Sequence, residues 1–411
     1  MKRCGFIIIF FLILVLWPAF YSFGQTYDEL GGQSNDLRTI TTAVPFLMIA
    51  PDARAGAMGD AGVASSPDAN SMHWNPAKYA FIKDQMGFSL SFTPWLRNLG
   101  INDIYLGYLA GYYKIDDRQT VAATLRYFTL GNILFTDEVG NPIGNYKPTE
   151  WTVDGTYARK FSEHWSGGVA ARFIYSNLTQ SQYVGGAATS AGTSIAADVS
   201  VYYVKDVNLG NLNSSISWGL NISNIGNKIS YSETSIEKDF IPTNFRTGIA
   251  LFMELDDYNS LSVLLDVNKL LVPTPPVYAR NDTSGQYILN PDGSYKIAKG
   301  MDPNVSVVQG MIQSWYDAPD GFSEEMREFC FSIGVEYWYN KLFAIRGGFF
   351  YEDKFKGNRK FFTVGAGLKY SVFCLDFAYL IPLEQQNPLA NTLRFTMLFN
   401  FEAFTNKSTT Q

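Results

Sequence analysis

The sequence predicts an all-β protein, a transmembrane antiparallel β-barrel of about 14 strands with an N-terminal plug in the lumen. Three observations predict it. About fourteen stretches alternate apolar and polar residues, and a strand turns successive side chains to opposite faces. They lie behind an N-terminus laid out like a secretory signal. Short turns alternate with mostly longer loops along the chain, as they do in a barrel whose two rims face different compartments.

The last stretch shows the pattern best. Leu393, Phe395, Met397, Phe399 and Phe401 share one parity, and Thr392, Arg394, Thr396 and Asn400 the other. A lipid-exposed barrel needs apolar residues outward and polar residues toward the lumen. Composition agrees: aromatics are 16% of the 411 residues, with 25 Tyr and 31 Phe, and charged residues only 17%. A soluble aromatic-rich β-sandwich is the competing fold, but it has no reason to alternate short and long connections.

Other classes are excluded on chemistry. The net charge is −6 with no basic run, so no nucleic acid is expected. There is no Walker loop, no GxGxxG before a helix and no paired CxxC. The two histidines are His73 and His164, too few for a His-based metal site. Neither has a Ser partner by spacing, so no catalytic residue, metal or cofactor is expected.

In chain order, Lys2 and Arg3 form a positive n-region, Phe6 to Trp17 an apolar run, and Pro18 to Gly24 a breaker before a cut near Gln25. Residues 1–24 read as a signal peptide. A retained anchor is the alternative, although the run is short for one. Cys4 precedes the apolar run, so no lipobox is present. No long apolar run recurs after Gln25, so a membrane location requires a barrel. Residues 25–84 form a pre-barrel segment. Within it Thr41 to Phe81 does not alternate and is rich in small residues. It fits a plug in the lumen or a periplasmic linker, and a linker should carry more charge and Pro.

The barrel is expected over 85–404. Its strands read Met86–Thr93, Asp103–Ile115, Gln119–Phe128, Glu150–Lys160, Trp165–Ser176, Thr193–Val204, Ser214–Ile222, Asn244–Leu255, Ser260–Asn268, Glu328–Tyr339, Leu342–Tyr351, Phe361–Tyr370, Val372–Leu380 and Asn391–Phe401. Short turns fall at Asp116–Arg118, Phe161–His164, Asp256–Asn259, Asn340–Lys341 and Ser371, with a longer one at Lys205–Asn213. An even strand count puts both termini in the periplasm, with 405–411 as a tail.

Arg126, Asp154, Arg172, Asp198, Arg246, Asp266, Glu336, Arg346, Lys369, Asp376 and Arg394 all fall on the polar parity. Facing lipid at the midplane, a charge would cost roughly 2–4 kcal/mol. Their mixed signs let them pair across a filled lumen, or they are simply solvated lumen charges. Cys330 and Cys374 map to opposite rims, beyond disulfide reach, so two free thiols are expected.

Lys269 to Arg327 is the longest loop, extracellular in this reading, and long loops are commonly functional or disordered. Val305, Val308, Met311, Ile312 and Trp315 follow helical spacing after Asp302-Pro303-Asn304. Such a helix either caps the barrel's own mouth or offers Val308, Met311, Ile312, Trp315 and Tyr316 as partner anchors.

The string from Pro51 to Ala64, Pro-Asp-Ala-Arg-Ala-Gly-Ala-Met-Gly-Asp-Ala-Gly-Val-Ala, followed by Asp68-Ala69-Asn70-Ser71 and Trp74-Asn75-Pro76-Ala77-Lys78-Tyr79, closely resembles the start of the PorV family. These are outer-membrane components of the type IX secretion system of Bacteroidota, and the resemblance extends over the whole chain, including Ile241 to Gly248. Looser versions occur across FadL-like barrels. The resemblance implies that Arg54, Gly56, Met58, Gly59, Asp60, Trp74, Asn75 and Pro76 are hatch residues. It implies a non-catalytic role beside the large translocon barrel, in outer-membrane lipid. Cargo with a shared C-terminal signal domain would bind at the outer loops and pass to attachment-complex proteins. Folded cargo is too large for a fourteen-stranded bore. The alternative is a FadL-like transporter of hydrophobic small molecules.

Overall fold

The computed structural model describes residues 38–401, apart from 98–99, 137–138, 181, 185–186, 233–237, 282–285 and 384–391. The expected signal peptide, its cut near Gln25, and the tail at 405–411 lie outside the described residues.

Fourteen antiparallel strands close into a barrel, each paired with its sequence neighbour. They are β1 (Met86–Pro94), β2 (Tyr105–Lys114), β3 (Gln119–Thr129), β4 (Thr149–Lys160), β5 (Trp165–Asn177), β6 (Gly192–Leu209), β7 (Leu212–Gly226), β8 (Asn244–Glu254), β9 (Asn259–Leu270), β10 (Cys330–Tyr339), β11 (Phe343–Tyr351), β12 (Lys360–Tyr370), β13 (Phe373–Pro382) and β14 (Leu393–Phe401). β1 and β14 seal the ring, with Met86 opposite Phe401 and Phe92 opposite Phe395. Phe88 and Phe399 stack across this seam at 4.7 Å between ring centres.

Burial alternates along β1 residue by residue, as the sequence pattern requires. Phe88, Leu90, Leu109, Val153, Val169 and Ile249 stand exposed on the exterior, while Ser89, Ser91, Thr152 and Thr396 are buried inside. So large an apolar surface on a closed barrel belongs in lipid rather than water. No helix among the described residues is long and apolar enough to cross a membrane.

Several boundaries differ from the sequence reading. The connection expected at Lys205–Asn213 is a two-residue turn, because β6 runs to Leu209 and β7 starts at Leu212. Its last residues are mostly exposed on both faces, so the ladder outruns the apolar alternation that marks its buried part. Glu328 is not in a strand; it caps a rim helix. The expected loops also carry structure. Ile133–Thr136 pairs with Pro142–Tyr146, and Val277–Tyr278 with Ile297–Lys299. Cys330 and Cys374 are both free thiols.

Candidate functional site

Residues 39–82 form two short 3-10 turns, Pro45–Met48 and Pro76–Phe81, and two single-turn helices, α1 (Ala53–Gly56) and α2 (Ser71–Trp74). Asp52 caps α1 by accepting from Ala55 N at 2.9 Å and takes a second bond from Trp74 Nε1 at 2.6 Å. This segment is too short of regular structure to satisfy its own backbone, and buried polar groups need partners. The barrel wall supplies them. Ala53 N donates to Thr396 Oγ1 on β14 and Gly59 N to Thr363 Oγ1 on β12, both at 2.8 Å. Gly62 N and Val63 N donate to Asp266 Oδ2 on β9 at 2.7 and 2.9 Å. Ser217 of β7 donates to Ala64 O, and Ser166 of β5 to Ala77 O.

Close approach is a second requirement. Gly59 takes φ +68, and a Cβ on it would overlap the backbone of Phe349; on the wall, a Cβ on Gly348 would overlap Met58 and Gly59. Glycine at both positions lets two backbones touch.

Charge is distributed in chains. Arg54 reaches Asp68 at 2.9 Å and Glu336 at 2.8 Å; Glu336 also binds Arg346 Nε at 2.7 Å, and Arg346 Nη1 binds Asp376 at 2.7 Å. Arg172 joins Asp154 at 2.7 Å and Asp198 at 3.2 Å. Arg394 binds Asp60 at 2.8 Å. The expected hatch residues Arg54 and Asp60 thus meet the expected lumen charges directly. Met58 and Gly59 lie on the wall at Gly348. Gly56 faces Arg394. Asn75 Nδ2 donates to Val63 O and Val201 O, both at 3.0 Å, and Pro76 opens the second 3-10 turn.

Not every expected charge pairs with another. Arg126 donates to Leu47 O at 2.7 Å and meets His73 Nδ1 at 2.7 Å. Arg246 donates to Asn268 Oδ1 at 2.6 Å and to His73 O, and lies over the Trp74 ring. Neither has a carboxylate within ion-pair distance among the described residues. The inner segment offers carbonyls and rings that strand parity alone does not reveal. Lys369 shares the polar parity but is exposed at the short-turn rim, outside the network.

Sequence reasoning missed other charged residues. Lys78 is fully buried, donating to Gly62 O and Ser65 Oγ, both at 2.8 Å. At the long-loop rim, Lys269 is buried against Glu325 and Glu328, and Lys356 against Glu324 at 2.7 Å and Glu328 at 2.9 Å. These pairs fasten the long loop and its two helices, α3 (Val307–Gln313) and α4 (Phe322–Arg327). The helix start expected at Asp302-Pro303-Asn304 is instead Ser306, whose side chain accepts from Gln309 N. Val308, Ile312, Trp315 and Tyr316 are exposed and Met311 half-buried. Beside them Asp317 accepts from Thr274 N at 3.1 Å, and burial pushes its carboxyl up to about 6.

A cavity of about 460 Å³ lies at the same end. Its lining includes Met48, Trp74, Arg246, Asn268, Phe350 and Arg359. It mixes apolar wall with charges of both signs, Asp60, Glu328 and Glu352 beside Arg246, Lys269, Lys356 and Arg359, a setting able to hold a small amphiphilic molecule.

A family model described as "Type IX secretion system protein PorV" matches residues 32–277. No curated protein matches the chain. Similar solved structures include the toluene transporter TbuX of Ralstonia pickettii, at TM-score 0.45 and 13% identity, covering 85% of this chain and 98% of that one. The P. putida toluene transporter TodX has TM-score 0.46 and 11% identity, covering 85% and 98%. A Pseudomonas aeruginosa FadL homologue has TM-score 0.40 and 10% identity, covering 89% and 100%.

Proposed function

The chain belongs to the PorV family of type IX secretion system proteins, and from that premise we propose that it is a non-catalytic outer-membrane barrel of that system. In this reading it stands beside the large translocon barrel in a member of the Bacteroidota, with both termini periplasmic. It binds cargo carrying a C-terminal signal domain at its extracellular rim and passes it to attachment-complex proteins. The segment 39–82 acts as the plug.

What supports the reading is the set of bonds between the inner segment and inward-facing side chains of the wall. Backbone bonds from Ala53, Gly59, Gly62 and Val63 to wall side chains, together with the Arg54–Glu336 pair, tie this segment to the inner wall, and a fourteen-stranded bore is narrower than a folded domain. That favours work at the rim over conduction. Affinity purification from the native membrane tests it. Co-recovery of a giant barrel and of secreted proteins sharing a C-terminal domain is expected, and recovery of neither would sink it.

The cavity at Arg246 favours a second reading, a FadL-like carrier of small amphiphilic molecules. Stoichiometric fatty acid in the purified barrel, lost in Arg246→Met, would favour that reading over the first.

A further inference from the structure

The two rim helices are built inside out. On α4 and its flanks Glu324, Glu325 and Glu328 are each buried, while Phe322 is 79% exposed and Met326 45%. On α3 and the residues after it, Gln313, Ser314 and Asp317 are buried, while Val308 is 65% exposed, Ile312 59% and Tyr316 60%. A helix on a water-facing surface does the reverse, turning charge out and apolar side chains in. Here the carboxylates turn inward to Lys269 and Lys356, and the apolar side chains turn out.

The position of this face identifies its surroundings. Lys269 and Phe245 both stand on the outward parity of their strands, β9 and β8, at the long-loop rim. Trp315 lies against the Phe245 ring at 5.5 Å and the Phe329 ring at 6.2 Å. The apolar side of the helices therefore continues the lipid-facing wall at the rim. Gln309, Ser323 and Arg327 are exposed beside it, which suits the headgroup level, where polar side chains still reach water and Trp and Tyr concentrate.

We propose that α3 and α4 form a membrane-interface anchor whose exposed side chains, Val308, Ile312, Trp315, Tyr316, Phe322 and Met326, contact bilayer lipid. The side chains that sequence spacing offers as partner anchors are then lipid contacts in the isolated barrel. The Lys269 and Lys356 ion pairs hold that face outward. The inference rests on the barrel lying in a membrane, and a wall position separates the two ideas.

The test uses the full barrel, purified alone and reconstituted in phosphatidylcholine vesicles. Single cysteines at Ile312→Cys and Phe322→Cys carry a bimane label, with Cys330→Ala and Cys374→Ala removing the native thiols. Ile249→Cys, on the outer wall, is the lipid control, and Asp292→Cys, at an exposed loop tip, the water control. Bimane at 312 and 322 is expected to lose fluorescence to doxyl-lipid and to resist aqueous iodide, as at 249 and opposite to 292. Iodide quenching at 312 and 322, with 249 still quenched by lipid, would overturn the inference and leave a partner protein as the occupant. Iodide quenching at 249 as well would overturn the membrane placement and the inference together.

Discussion

Lys269 stands on the outward parity of β9, yet its ammonium is fully buried in an ion pair with Glu328, a residue of the loop packed at that rim. A lysine at that level of the exterior would otherwise face lipid. Glu325 completes its shell at 3.2 Å. Breaking a buried pair from one side strands the other charge, at about 3–5 kcal/mol. Lys269→Met is therefore expected to loosen residues 305–328 while the strands stay closed. Hydrogen exchange should rise in that loop and remain slow in the strands. Unchanged loop protection would show that the ion pair is not what holds the loop.

Glu336 joins the inner segment to the wall, because it binds both Arg54 and Arg346. Glu336→Gln leaves the buried Arg346 with Asp376 alone and the half-buried Arg54 with Asp68 alone, and a loss of up to about 3–5 kcal/mol is expected. Urea unfolding in detergent measures it. Adding Arg54→Met should recover part of the loss, since contacting residues in one network couple by about 0.5–3 kcal/mol. Strictly additive losses would show that the pair contributes nothing beyond its separate members.

Gly348 tests the close approach. A Cβ there would overlap the backbone of Met58 and Gly59, whereas a Cβ on Gly155 meets nothing within 4 Å. Gly348→Ala is expected to destabilise by roughly 1–3 kcal/mol through overpacking, and Gly155→Ala to change little. The thermal midpoints of the two variants make the comparison. Equal midpoints would mean that the segment does not press on the wall.

Strand parity carried far in this chain because a lipid-facing wall enforces it on every residue of a strand. It put Arg172, Asp154, Arg346 and Asp376 on the inward face; the register then sets Arg172 opposite Asp154 on the next strand, and Arg346 reaches across β12 to Asp376. It failed at Lys269, which the pattern read as the first loop residue. The structure keeps Lys269 in β9 because Glu325 and Glu328, distant in sequence, neutralise it. No local signal announces such a pairing. Lys78 and Asp52 escaped for a related reason. They lie in a segment without periodicity, where burial follows from the surrounding wall rather than from spacing.

Asp317 gives the rim a pH dependence. Its carboxyl is pushed up to about 6, first by burial and then by the charges of Glu325 and Glu328, against the opposing bond from Thr274 N. The unfolded value is 3.8. Between these values the folded loop binds more protons than the unfolded one, so stability falls as pH rises. The favourable contribution is complete below about 3.8 and is lost as pH climbs through about 6. Docking of the loop should therefore be tighter at pH 5 than at pH 7.5, read as slower hydrogen exchange around residues 305–320 after correction for intrinsic rates. Asp317→Asn replaces the carboxyl with a neutral group of similar shape and should flatten the dependence. If the variant keeps the full pH dependence, Asp317 is not the titrating group and the loop's response to pH arises elsewhere.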